Sequence, residues 1–500
     1  MKRTLLVLGA LAALASAAGI LAFAHAQTLL RTLQSPNPQA GANFGWTVAV
    51  GDVNGDGKAD IAVGAPVEDV AGNTDQGRVY VFSGANGSLL FTLDTPNPQA
   101  GARFGWSPAV GDVNGDGKAD IAVGAYYEDV GGNADQGRAY VFSGADGSLL
   151  FTLDSPNPQA WARFGTGVAV GDVNGDGKAD IAVGANWEQV DGIFQQGRAY
   201  VFSGADGSLL FTLDTPNPRV TATFGGSLAV GDVNGDGKGD IAVGAASWNI
   251  SQGQAYVFSG ADGSLLLTLD SPNPQSLALF GCELAMGDVN GDGKPDIAVG
   301  AYYEDVAGNT DQGRVYVFSG ANGSLLFTLD TPNPQAQAYF GGYSVRVGDV
   351  NGDGKADIAS GAYGEDVGAN TDQGRVYVFS GANGSLLFTL DTPNPQANAW
   401  FSYFAVAVGD VNGDGKGDIV VGAPHEDVGG NADQGRAYVF SEPGPVGGIA
   451  ELPELGGTPL AVGGSWDPSG VVLAGIAAGA AAGALSLAAA AWYVRRRWLR

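Results

Sequence analysis

A nine-residue phrase, Asp-Val-Asn-Gly-Asp-Gly-Lys-x-Asp, occurs seven times in this chain. The copies begin at Asp52, Asp112, Asp172, Asp232, Asp288, Asp349 and Asp410, at intervals of 60, 60, 60, 56, 61 and 61 residues. A period of this length implies stacked or ring-arranged modules, each a supersecondary unit that buries its apolar faces against its neighbours. The phrase also has a chemistry. In the first copy Asp52, Asn54 and Asp56 stand at positions one, three and five, Lys58 offers its backbone carbonyl at seven, and Asp60 closes the set at nine. Gly55 and Gly57 let the backbone wrap tightly. Alternating oxygen donors on a glycine-turned loop suit a hard cation, and an all-oxygen set favours calcium over zinc or copper. Magnesium is disfavoured because it demands tighter geometry and keeps its water. Position twelve, where an EF-hand carries Glu, is Val63. The equivalent expected ligands are Asp112, Asn114, Asp116, Lys118 and Asp120; Asp172, Asn174, Asp176, Lys178 and Asp180; Asp232, Asn234, Asp236, Lys238 and Asp240; Asp288, Asn290, Asp292, Lys294 and Asp296; Asp349, Asn351, Asp353, Lys355 and Asp357; and Asp410, Asn412, Asp414, Lys416 and Asp418. Up to seven calcium ions are therefore expected, with the lysine side chains facing solvent.

Each unit reads as four short strands. In the second, Ala109-Val110 leads into the acidic loop, and Ile121-Ala122-Val123-Gly124 follows it as a buried strand. After a polar loop from Glu128 to Gln136 comes Ala139-Tyr140-Val141-Phe142, aromatic and β-branched. Gly144-Ala145-Asp146-Gly147 makes a tight hairpin to Leu149-Leu150-Phe151-Thr152-Leu153, and Pro156-Asn157-Pro158 breaks pairing before the next unit. Seven such units predict an all-β, seven-bladed β-propeller over residues 27–441. A linear solenoid is the alternative, but the ends favour a ring. The last unit stops after Ala437-Tyr438-Val439-Phe440, and Leu29-Leu30-Arg31-Thr32-Leu33 matches the missing fourth strand. Closing the ring this way removes exposed sheet edges.

The pattern resembles the FG-GAP repeats of integrin α-subunit heads and related prokaryotic surface proteins. Phe-Gly recurs at Phe44, Phe104, Phe164, Phe224, Phe280 and Phe340, with Phe401-Ser402 departing from it. Gly-Ala-Pro is literal at Gly64-Ala65-Pro66 and Gly422-Ala423-Pro424. The resemblance implies a propeller with calcium in its blade loops and ligand bound on the face away from the calcium. Strand alternation agrees: the acidic loops and the short hairpins emerge together, leaving the longer loops and crossovers to the other face, where binding residues concentrate. Tyr126-Tyr127, Asn186-Trp187, Ser247-Trp248, Tyr302-Tyr303, Tyr363 and His425 vary there, with Trp161, Tyr339 and Trp400 in the crossovers. Such aromatics either grip a sugar or protein ligand or pack between blades. The fourth unit lacks the Glu-Asp-Val-Gly-Asn stretch, so its rim is expected to be lower.

The two ends carry targeting signals. Lys2-Arg3, an apolar run and Ala24-His25-Ala26 predict a cleaved leader over residues 1–26, the alternative being an uncleaved anchor. Past a linker, 442–470, residues 471–494 are 24 without a charge, followed by Arg495-Arg496-Arg497 in the tail 495–500. At about 1.5 Å per residue a helix there reaches roughly 36 Å, enough to cross a bilayer with the arginines inside. This predicts a single-pass cell-membrane protein with an external propeller. Gly475, Gly479 and Gly483 would permit a helix-mediated dimer. Leu452-Pro453-Glu454-Leu455-Gly456 resembles a sortase signal, with Leu455 in place of the threonine, and gives wall attachment as the alternative.

A formal charge of −28 excludes nucleic acid and anionic lipid as charge-driven partners. One cysteine, Cys282, leaves no internal disulfide, so metal is expected to do the stapling. His425 is the only histidine beyond the leader, and no singular carboxylate pair stands apart from the repeats, so catalysis is not expected. The leading expectation is a calcium-binding surface propeller acting in adhesion or in binding an extracellular protein or polysaccharide. The alternative is a calcium-rigidified structural envelope protein without a specific ligand.

Overall fold

The computed structural model describes residues 27–247 and 252–442, and all its regular structure there is β. Seven four-stranded antiparallel sheets are present. Blade 1 comprises Thr47–Gly51, Asp60–Ala65, Arg78–Phe82 and Leu89–Leu93, paired in that order. Blades 2 to 6 repeat it, beginning at Pro108–Gly111, Phe164–Gly171, Leu228–Gly231, Leu284–Gly287 and Phe340–Gly348. Blade 7 has Val406–Gly409, Asp418–Ala423 and Arg436–Ser441, and its fourth strand is Thr28–Leu33 from the start of the chain. The ring closure expected from the sequence is what the chain forms. At this seam Arg31 takes the place of the phenylalanine found in five of the other six fourth strands, the sixth having Leu267. Its guanidinium donates to the Gly84 and Ala85 carbonyls at 2.6–3.0 Å, clasping the hairpin of blade 1.

The core is seven cores, one between each pair of adjacent blades. The second strand, Asp-Ile-Ala-Val-Gly-Ala, explains why. Successive side chains point to opposite faces, so Ile and Val crowd one face while Ala and Gly leave the other nearly flat. The small face of blade 1, with Ala62, receives Phe104, Ile121, Val123 and Phe142 of blade 2. A Cβ on Gly124 would sit 2.0 Å from the Gly165 oxygen of the next blade, so glycine is required there. The Phe of each Phe-Gly is a wedge: Phe44 is fully buried and meets Phe82 edge-on at 6.0 Å.

The expected leader, the linker beyond Glu442, the apolar span, the basic tail, the sorting-signal-like segment and Trp248 lie outside the described residues. Among the described residues no helix is long and apolar enough to cross a membrane.

Candidate functional sites on two faces of the ring

The acidic loops join first to second strands and form one face, with the hairpins beside them. Within each loop, position one gathers the turn: Asp52 Oδ1 accepts from the amides of Gly55 (2.7 Å) and Asp56 (3.1 Å), and Oδ2 from Gly57 (2.8 Å). Both glycines have positive φ, 79° and 81°. Position nine is an internal anchor. Asp60 is buried, its Oδ2 accepts from the amides of Val53 and Asn54 at 3.1 Å, and its Oδ1 accepts from Asn54 Nδ2 and the hairpin amide of Gly84. Burial pushes the carboxyls of Asp60, Asp357 and Asp418 up to about 6, and those of Asp120, Asp180, Asp240 and Asp296 upward, against the pull of these backbone bonds. The charge that acts on Asp60 is Asp56, which is of like sign and raises it further.

The donor set, with three carboxylates, one carboxamide oxygen and no nitrogen or sulfur ligand, fits a hard divalent cation. A desolvated carboxylate facing another carboxylate also fits a position that a cation completes. The side chains are turned onto their own loop's N–H groups instead. Among the described residues no three acidic, histidine or cysteine side chains converge as a ligand cluster, and Asn54 presents nitrogen rather than oxygen to Asp60.

The loops are also joined to one another. The amide at position eight donates to the position-one carbonyl of the neighbouring loop: Ala59 to Asp410, Ala119 to Asp52, Ala179 to Asp112, Gly239 to Asp172, Ala356 to Asp288 and Gly417 to Asp349, at 2.7–2.8 Å. The seventh junction has Pro295 at this position, which has no N–H to donate. There the Lys294 ammonium bonds the Asn234 carbonyl instead, at 3.1 Å. The lysine side chains lie along the neighbouring loops. They are half-buried, and the Lys118 stem lies across Gly55 of the preceding loop, as Lys58 lies across Gly413.

Beneath the opposite rim lies a network that sequence reasoning missed. Glu128 is fully buried and accepts from Asn97 Nδ2 (2.8 Å), Tyr140 Oη (2.8 and 2.9 Å) and Arg138 (2.9 Å). Arg138 also pairs with Asp154 at 2.6 Å. The motif recurs at Glu68, Glu188, Glu304, Glu365 and Glu426. Burial raises the Glu128 carboxyl above the ordinary range while its donors pull it back. The Asn of each Pro-Asn-Pro, which looked like a plain strand breaker, is the crossover's latch. Blade 4 lacks the Glu; there Gln254 accepts from Tyr256 and Asn217 and donates to Asp270 at 2.6 Å. A Glu repeated in six of seven units with an Arg ten residues later was the available signal.

The rim itself carries the variable aromatics. Trp46, Trp106, Tyr126, Tyr302, Tyr343, Tyr363, Trp400, Tyr403, Phe404 and His425 form one continuous ring-to-ring cluster across blades 5, 6, 7, 1 and 2. Its links include Trp106–Tyr126 at 4.7 Å, Trp46–Trp106 at 5.3 Å, Tyr343–Phe404 stacked at 4.1 Å and Trp400–His425 at 4.4 Å. Tyr126, Tyr302 and Tyr363 are buried by this packing, while Tyr303, Tyr339, Trp400 and His425 remain half-exposed. Tyr343 and Phe404 fall in the two units with one extra residue, and both have positive φ. The extra residue behind the 61-residue intervals thus bulges an aromatic into the mouth of a cavity of about 810 Å³ lined by the first strands. Inside it, Glu283 and Arg346 pair on adjacent strands. Arg346 stands where the other six units have Ala. Cys282 is buried beside this pair, and burial pushes its thiol up to about 12.

Comparison with known proteins gives one family. The FG-GAP repeat model matches residues 44–82, 104–142, 164–202, 224–258, 280–318, 341–379 and 402–440. Integrin alpha pat-2 of Caenorhabditis briggsae is 30% identical over 372 residues, 68% of this chain and 28% of that protein. Integrin alpha-PS2 of Drosophila melanogaster is 31% identical over 277 residues, 49% of this chain and 19% of that protein. Integrin alpha-4 of Xenopus laevis is 27% identical over 243 residues, 46% of this chain and 23% of that protein. The chain therefore spans less than a third of the length of each of these relatives.

Proposed function

The chain belongs to the FG-GAP repeat family, with a seven-bladed propeller like that of integrin α-subunits, and on that premise we propose that it is an adhesion or ligand-binding propeller working through its aromatic rim. The family is a non-enzymatic one. The observation that carries the reading is where the repeats diverge. The loop face is nearly invariant, whereas the residues after each Gly-Ala change from blade to blade and build an uneven mouth, with a packed aromatic arc over blades 5, 6, 7, 1 and 2 and Trp187 stacked with Arg163 in blade 3. A specific ligand needs such asymmetry, and half-exposed Trp and Tyr supply large contact area at low entropic cost.

The loops serve the rim by holding the ring rigid. Calcium, bound by the Asp52, Asn54, Asp56, Lys58 and Asp60 set and its six equivalents, would supply positive charge among carboxylates that otherwise repel one another. The partner is an extracellular protein or polysaccharide, met at a cell surface to which the chain is anchored by residues 471–494. The test is a capture screen of the full chain on beads against envelope polysaccharides, matrix proteins and whole cells, with calcium and with chelator. Saturable, calcium-dependent capture of one target class supports the reading. Absence of capture by the folded, calcium-loaded chain overturns it and favours a structural envelope role.

A further inference from the structure

Over blade 2 the rim is built differently from the aromatic arc. Arg163, in the crossover entering blade 3, stacks its guanidinium on Trp187 at 3.0 Å from the ring centroid and lies 4.9 Å from that of Tyr127. Its Nε is covered and bonds nothing. Arg78, Arg138, Arg198, Arg314, Arg375 and Arg436 each hold a buried carboxylate. Among the described residues Arg163 has no ion pair, in a protein of net charge −28. Arg103 stands beside it, 5.7 Å from the Tyr127 centroid and only 3.9 Å from Asp75 in a loose pair. Arg163, Arg103, Tyr127 and Asp75, together with Asp135 and Trp161, line a notch of about 380 Å³.

Trp161 is the second observation. Its position is Gly41 in unit 1, Gly101 in unit 2 and Thr221, Leu277, Gln337 and Asn398 in units 4 to 7, all at positive φ, so Trp161 is the one aromatic placed there. Trp161 keeps the same left-handed backbone, φ 68°, while 56% of its surface is exposed. A bulky side chain there costs of order 1 kcal/mol in backbone strain and gains little packing in return. A tryptophan more than half exposed, where the other units carry Gly, Thr, Leu, Gln or Asn, points to a ligand that covers it.

We propose that this notch binds a sugar acid, the uronate unit of an acidic polysaccharide, which deepens the rim-binding reading and rests on it. Arg163, pre-oriented by its stacked rings, and Arg103 would take the carboxylate; a planar guanidinium suits it. Trp161 would stack on the apolar face of the pyranose ring. Asp75 and Asp135 would accept from its hydroxyls. A broad ring for Trp161 to cover, and hydroxyls for Asp75 and Asp135, favour a sugar acid over an acidic peptide, which has no pyranose face.

The experiment is calorimetric titration of the full chain, at fixed calcium, with a glucuronate-containing oligosaccharide, its carboxyl-reduced counterpart and a glutamate-rich peptide. The uronate is expected to bind, with the reduced sugar and the peptide at least tenfold weaker. Arg163→Gln is expected to lose tenfold or more, and Trp161→Gly several-fold with no fall in melting temperature, which keeps the test valid should Arg163→Gln fold poorly. Equal binding of the reduced sugar, preference for the peptide, or unchanged affinity in both variants overturns the inference. If the uronate fails while another target is captured in a manner lost in Trp400→Ala, this site is wrong and the rim reading stands. If nothing binds, both fall.

Discussion

On one face of the ring, seven loops differ only at position eight, which is Ala, Gly or Pro; on the other, the two residues after Gly-Ala take six different forms in seven units. Both faces come from the same repeat and the same strands. The invariant face is tied internally: every loop bonds itself, its hairpin or its neighbour through backbone groups, so a changed side chain breaks the turn. The variable face is tied beneath its surface, by Glu128 and its equivalents, so the residues above can change without loosening the blades. A propeller can thus hold its shape with one face and vary the other, provided a buried polar layer separates the varied residues from the cores.

The largest expected effect tests the loop face as a whole. Ions that bind only the folded state stabilise it by about 2.7 kcal/mol per site at a hundredfold excess over Kd. Chelation should therefore lower the melting temperature strongly, and an unchanged scan would remove the metal role from the loops. Next is the layer below the rim. Glu128→Ala leaves Arg138, Tyr140 and Asn97 without their shared acceptor and should cost about 3–5 kcal/mol in urea unfolding, as for a broken buried ion pair. Gln254→Ala, in the blade built with neutral groups, should cost less, about 1–3 kcal/mol. Equal losses would mean that the charge in the other six blades adds nothing. Gly124→Ala should cost about 1–3 kcal/mol by pushing blades 2 and 3 apart. Asp116→Ala should lower the calcium stoichiometry by one and cost at most about 2.7 kcal/mol, and loss of all bound calcium would show that the loops do not act singly. Trp161→Gly is the smallest, within about 1 kcal/mol and stabilising in sign because it relieves a strained φ.

Much of this architecture is legible in the sequence because its signals are local. The alternating Ile-Ala-Val-Gly strand, the Asp-Gly turn and the orphaned fourth-strand phrase at residues 29–33 each lie within one unit, and the period multiplies them. What escaped joins residues about forty to seventy apart in sequence. Lys118 over Gly55, the Ala119 amide on the Asp52 carbonyl, and Phe104 against Ala62 all cross a blade boundary. The Asn97–Glu128 latch escaped because proline flanks made the Asn look like punctuation. The rim aromatics were visible, but not that the packed arc runs through Tyr126 and Tyr127, 4.0 Å apart, into an arginine-lined notch. The arc depends on one extra residue in units 6 and 7, and the notch on a Trp where units 1 and 2 have Gly.

The division of labour between the faces is tested most directly by measuring stability and capture together in three preparations: the unaltered chain, Asp116→Ala and Trp400→Ala, each against the target found by the capture screen. The account predicts that Asp116→Ala lowers the melting temperature and keeps capture at saturating calcium, while Trp400→Ala loses capture and melts close to the unaltered chain. Capture lost from the loop variant and kept by the rim variant would contradict it.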